Sequence, residues 1–80
     1  MRVLLFGPLS DLAGWRDRGI DPAPSTLFAL RDQLALDDAA LGEALRAKGV
    51  QAAVDKTVVR GDVALSPAAE VAFLPPMSGG

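Results

Sequence analysis

Glu70-Val71-Ala72-Phe73-Leu74-Pro75-Pro76-Met77-Ser78-Gly79-Gly80 changes character at one point, between Leu74 and Pro75. The first five residues favour extended backbone, and their period of two places Val71 and Phe73 on one face and Leu74 on the other. At Pro75 the strand must stop: each proline fixes φ near −65° and has no N–H for a neighbouring strand. Glycine has no Cβ, so the Gly79-Gly80 tip is the thinnest peptide that can enter a tunnel. The segment therefore predicts a last strand that runs directly into a stiff stalk carrying a carboxylate on Gly80. An ordinary frayed terminus is the plain alternative.

The last strand needs neighbours, and working back from it supplies them. Val50 to Val54 and Thr57 to Arg60 are β-rich runs on either side of Asp55-Lys56, a two-residue connection that predicts a tight hairpin. Residues 2–6, Arg-Val-Leu-Leu-Phe, predict a first strand ended by Gly7-Pro8. Ser10 to Gly14 predicts one short helical turn, with Ser10 as N-cap and Gly14 as its stop. Residues 18–21 predict a short edge strand blunted by charge.

The middle of the chain is helical. Pro22-Ala23-Pro24-Ser25-Thr26 breaks the chain, and Ser25 or Thr26 supplies an N-cap. Leu27, Leu30 and Leu34 then fall on one face, with Arg31 and Asp32 toward solvent. A second helix is predicted over 38–48, with Asp37-Asp38 at its positive end, Arg46 and Lys48 at its negative end, and Gly49 beyond. Gly42 inside it costs about 1 kcal/mol relative to Ala, so this helix depends on packing. Strands at both ends and helices between them predict an α+β domain of 4–5 strands over one main helix and a shorter one. It spans residues 1–74, followed by an extended tail at 75–80. The first and last strands can pair as central neighbours, as in the β-grasp arrangement.

Composition excludes more than it assigns. The 80 residues contain no His and no Cys, so the commonest general base, the best nucleophile and the usual zinc ligands are missing. No metal site and no bound cofactor are expected. Asp37-Asp38 reads as helix-terminal charge rather than an acid–base pair, and Trp15 as a core side chain. A net charge of −2 without a basic cluster argues against nucleic acid. No apolar run approaches a membrane span, and Met1 to Phe6 reads as a strand rather than a signal peptide. Without cysteine there is no disulfide framework, and a cytoplasmic location is the default. Any reaction this chain enters is expected to be catalysed elsewhere.

Strand parity also offers a surface. If Val3, Leu5, Val59, Val71 and Phe73 face the helix, Phe6, Val58 and Leu74 face outward and make an apolar patch suited to a partner. Strand bends or covering loops are the alternative.

The tail Val71-Ala72-Phe73-Leu74-Pro75-Pro76-Met77-Ser78-Gly79-Gly80 resembles that of the molybdopterin synthase small subunit family, the ubiquitin-like β-grasp sulfur carriers. Met1 to Phe6 resembles the family's first strand, and Ala52-Ala53-Val54-Asp55-Lys56-Thr57-Val58-Val59 its central hairpin. The matches run in family order over nearly the whole chain. The diproline before the spacer and Gly-Gly is the most specific element; Gly-Gly alone is shared with thiamine-pathway carriers and ubiquitin-like modifiers. Two segments depart from the pattern: Ser66-Pro67-Ala68-Ala69 stands where an acidic Asp-Gly-Asp-type turn is common, and Arg16 to Arg18 matches a second strand poorly.

The resemblance implies a chemistry. A separate ubiquitin-activating-like enzyme uses ATP to adenylate Gly80, and a sulfur donor protein converts the adenylate to a thiocarboxylate. That sulfur then goes to a pterin precursor to build the molybdopterin dithiolene. Catalytic groups belong to a large partner subunit in a heterotetramer, contacted through Phe6, Val58 and Leu74. Pro75, Pro76, Met77, Ser78 and Gly79 thread the tail; seven residues from Leu74 reach roughly 20 Å. Thiazole synthesis, or protein conjugation through Gly80, would use the same activated carboxyl. A plain β-grasp interaction module would use none of it.

Overall fold

The computed structural model describes residues 1–76, in the order β1 (Arg2–Leu5), α1 (Pro8–Ala13), β2 (Asp17–Gly19), α2 (Leu27–Asp37), α3 (Ala39–Leu45), β3 (Gln51–Val54), β4 (Thr57–Val59) and β5 (Glu70–Leu74). Alternation in β1 and β5 organises the sheet. Val3, Leu5, Val71 and Phe73 are each at most 2% exposed, and the two strands pair in parallel with Val3 beside Val71 and Leu5 beside Phe73. A parallel pair cannot be closed by a hairpin, so everything between β1 and β5 forms the crossover. The sheet runs β2-β1-β5-β3-β4, with every pairing except β1–β5 antiparallel. This is the expected mixed sheet of the ubiquitin-like β-grasp, with all five strands present.

Leu27, Leu30 and Leu34 of α2 are buried against the sheet, joined by Leu41 and Leu45 of α3. Burying each such side chain is worth about 1.5–3 kcal/mol. The α2 N-terminus is satisfied twice: Thr26 Oγ1 accepts from Ala29 N at 3.1 Å, and Asp62 Oδ1 accepts from Phe28 N at 2.8 Å. The second acceptor comes from 34 residues away, which local sequence does not disclose. The hairpin forms as predicted, with Val54 opposite Thr57. Asp55 at φ 49° and Lys56 at φ 71° both take the left-handed conformation its two-residue turn demands.

Four local expectations need correction. The first helix begins at Pro8, not Ser10: a proline at the first helical position gives up only an N–H that has no helical partner there. Ser10 is buried inside α1 and its Oγ donates to Gly7 O at 2.8 Å. β2 lies at Asp17–Gly19, starting one residue and ending two residues before the expected 18–21, because its register follows pairing with β1. α3 is shorter than 38–48: Asp38 caps it through Oδ1 to Leu41 N at 3.1 Å, and Asp37 ends α2 instead. Arg31 is half-buried rather than solvent-facing, its guanidinium 4.3 Å from the Phe28 ring centroid.

Candidate docking face and tail base

Cross-strand register assembles the face opposite the helices. Val58 lies opposite Ala53, Ala53 opposite Ala72, and Ala72 beside Leu4. Residues paired directly share a face, so these four make one apolar row across β4, β3, β5 and β1. In the next row toward the C-terminal end of β5, Gln51 lies opposite Leu74. Phe6 follows β1 there, with Phe6 N donating to Phe73 O at 3.3 Å. Phe6 is 46% exposed and Val58 50%, while Leu74 is half-buried. The three residues singled out by parity therefore stand on one continuous face. Leu4, Ala53 and Ala72 complete it; the same parity marks them, but alanine is too small to draw notice as a docking residue.

The opposite margin of this face is charged. Arg2 forms a fork onto Asp17, with Nε at 3.0 Å from Oδ1 and Nη2 at 2.6 Å from Oδ2, and its Nη1 reaches Glu70 Oε1 at 3.4 Å. Hydrogen bonding and the adjacent charge hold the Asp17 carboxyl below its ordinary pKa and raise that of Arg2. These groups are well exposed, so their stabilisation is small. An apolar centre with a polar rim is the usual anatomy of a protein interface. Beyond Phe6 the face opens into a cleft of about 570 Å³ beside α1, bordered by Ser10, Asp11 and Arg16.

The tail leaves from this same end. Leu74 is the last residue of β5, and Pro75 and Pro76 follow it directly, the first half-buried and the second exposed. Met77, Ser78, Gly79 and Gly80 lie outside the described residues. Among those described, no group of three or more acidic, His or Cys residues could hold a metal ion. No helix there is long and apolar enough to cross a membrane.

A central parallel β1–β5 pair, helices on one face and an apolar opposite face define a ubiquitin-like domain, and the sequence pattern of the ThiS family matches residues 3–80; the chain belongs to that family. It is 34% identical to the molybdopterin synthase sulfur carrier subunit of Escherichia coli (strain K12), over 100% of this chain and 99% of that protein. Its fold is similar to the crystal structure of SAMP1 from Haloferax volcanii, with a TM-score of 0.75 and 23% identity, covering 100% and 98% of the two chains.

Proposed function

We propose that this protein is the sulfur-carrying small subunit of molybdopterin synthase, with Gly80 as the residue that bears sulfur. The observation that carries the proposal is positional. Leu74 belongs at once to the apolar outer face and to the base of the tail, so a partner docked on that face stands where the tail begins. The full-length similarity to the E. coli sulfur carrier subunit supports the same role.

A carboxylate is a poor electrophile because its charge is delocalised and oxide is a hopeless leaving group. Adenylation by a partner solves this: a Gly80 oxygen attacks the α-phosphate of ATP, pyrophosphate leaves, and the acyl carbon acquires AMP as leaving group. A persulfide of the sulfur donor attacks that carbon, the C–O bond to AMP breaks, and a thiol then cleaves the resulting acyl disulfide, forming a new disulfide with the donor sulfur and leaving a thiocarboxylate. Its sulfur is ionised at neutral pH and polarizable, so it attacks a carbon of the pterin precursor and displaces an oxygen leaving group from it. Water then cleaves the acyl C–S bond, returning the carboxylate for recharging. One tail carries one sulfur, so a dithiolene takes two deliveries. Acid–base work falls to the large subunit, since this chain has no His or Cys.

ThiS-family membership is equally compatible with supply of sulfur for thiazole synthesis. Intact-mass measurement on protein isolated from its native host tests the carrier role. A fraction heavier by one oxygen-to-sulfur exchange, mapped to Gly80, is expected. Its absence under conditions that induce cofactor synthesis counts against the role, and co-purification of a large synthase subunit separates the two pathways.

A further inference from the structure

Pro75 and Pro76 leave the sheet between two glycines. Gly7, in the turn after β1, has φ +55°, and Gly49, in the turn before β3, has φ +92°. β1 and β3 are the strands on either side of β5, so the two turns flank the diproline. A Cβ on Gly49 would lie 3.0 Å from Pro76 Cβ, 3.4 Å from its Cγ and 3.6 Å from its Cα; one on Gly7 would lie 3.3 Å from Pro75 Cγ. Positive φ does not by itself produce this. Gly14 at φ +82° and Gly61 at φ +69° have nothing within 4 Å of the same construction.

We propose that Gly49, with Gly7 as the weaker member, is a positioning residue for the tail: the two glycines form a collar that sets the direction in which the chain leaves Pro76. Resting on the sulfur-carrier role above, this direction decides where the acyl carbon of Gly80 is presented inside a partner. The distances rank the two positions. At Gly49 the obstructed atoms include ring Cβ, with Cα close behind, and a proline ring is bonded to its main chain at both N and Cα. Moving that ring moves the backbone. At Gly7 only the ring tip is met, and a change of pucker absorbs a few tenths of an ångström.

Two readouts test the collar. The chain has no cysteine, so Ser78→Cys and Glu43→Cys introduce a unique pair of spin labels between tail and body. Gly49→Ala shifts the label-to-label distance distribution, whereas Gly14→Ala and Gly61→Ala, which carry comparable backbone strain, leave it in place. In single-turnover transfer, with unlabelled proteins, Gly49→Ala slows the step by roughly ten- to a hundredfold, the range a misplacement of about 1 Å produces. The two control variants retain the wild-type rate. In a Pro76→Gly background, Gly49→Ala causes no further loss, because the ring it would displace is gone. Unshifted distances for Gly49→Ala, or an equal penalty with and without the ring, overturn the collar. Should the wild-type chain prove not to carry sulfur, the label distances still decide whether the collar exists.

Discussion

Asp55 and Glu70 lock the hairpin to the last strand: Asp55 N donates to Glu70 O at 2.8 Å, and Asp55 Oδ1 accepts from Glu70 N at 2.9 Å. The pair continues the β3–β5 ladder one residue past Val54 and Val71, replacing a carbonyl with a carboxylate where β3 turns away. Asp55→Ala loses the acceptor and places a Cβ-bearing residue without a polar side chain at φ 49°. The expected loss is about 1–2 kcal/mol, a fall in Tm of roughly 5–15 °C for a domain of this size. Asp55→Asn keeps an acceptor oxygen and remains near wild type. Thermal unfolding of the two variants checks the difference, and equal Tm values would remove the carboxylate from this account.

Gly42 is the contact point of α2 and α3. A Cβ there would overlap the Ala35 side chain and lie 2.8 Å from Ala35 Cα. Helix propensity alone favours Gly42→Ala by about 1 kcal/mol, but overpacking between two helices costs about 1–3 kcal/mol. Packing wins, and Gly42→Ala is expected to lower stability in urea denaturation. Adding Ala35→Gly relieves the overlap, so a double-mutant cycle yields a favourable coupling of about 1–2 kcal/mol. A stabilised Gly42→Ala would show that the helices separate freely.

The same residues show what the chain discloses by itself. Period-two alternation in β1 and β5, the Leu27-Leu30-Leu34 stripe and the Asp55-Lys56 turn are local signals with single physical meanings, and each is realised. Gly7-Pro8 carries two: proline that ends a strand is also well shaped to begin a helix, and the helix follows. Ser10 is a good cap in isolation but is overtaken by that earlier start. β2 has only three residues, all exposed, so its position is set by β1 and the Arg2–Asp17 fork rather than by its own pattern. On the proposed docking face, Phe6, Val58 and Leu74 were legible from parity. Parity places Ala53 and Ala72 on the same face, but an alanine draws no notice until the register across β4, β3 and β5 sets it in line with Val58. Met77, Ser78 and Gly79, proposed to thread the tail, and Gly80, proposed to bear sulfur, lie outside the described residues, so these roles rest on sequence and chemistry alone.

Val58 tests the docking face with little risk to the fold. It sits in the apolar row yet is 50% exposed, so Val58→Asp should leave Tm within a few degrees. A charge placed within a partner interface must be desolvated without a counter-charge. The affinity for a large synthase subunit is expected to fall by at least about tenfold, the scale of interface residues that matter. Leu36 on α2 is 88% exposed and lies in the helical layer, on the other side of the sheet. Leu36→Asp should leave affinity unchanged in titration calorimetry; the reverse ranking would move the docking face to the helices.

The tail makes a separate demand, because docking and delivery can be broken independently. Gly79→Val adds a β-branched side chain next to the carbonyl proposed to react and thickens the tip that must pass through a partner's opening. Removing Gly80 withdraws the acyl carbon from its place by one residue, about 3.3–3.6 Å. Neither change touches the core of the described residues, whose last member is Phe73. Both variants are therefore expected to fold with wild-type Tm, to bind a large subunit through the Phe6, Val58 and Leu74 face, and to transfer no sulfur. Mass analysis after incubation with ATP, an adenylating partner and a sulfur donor locates the block: deletion of Gly80 abolishes thiocarboxylate formation or its use, and Gly79→Val blocks entry at one enzyme or the other. Transfer at the wild-type rate by either variant would mean that the Gly-Gly tip is not the delivering group.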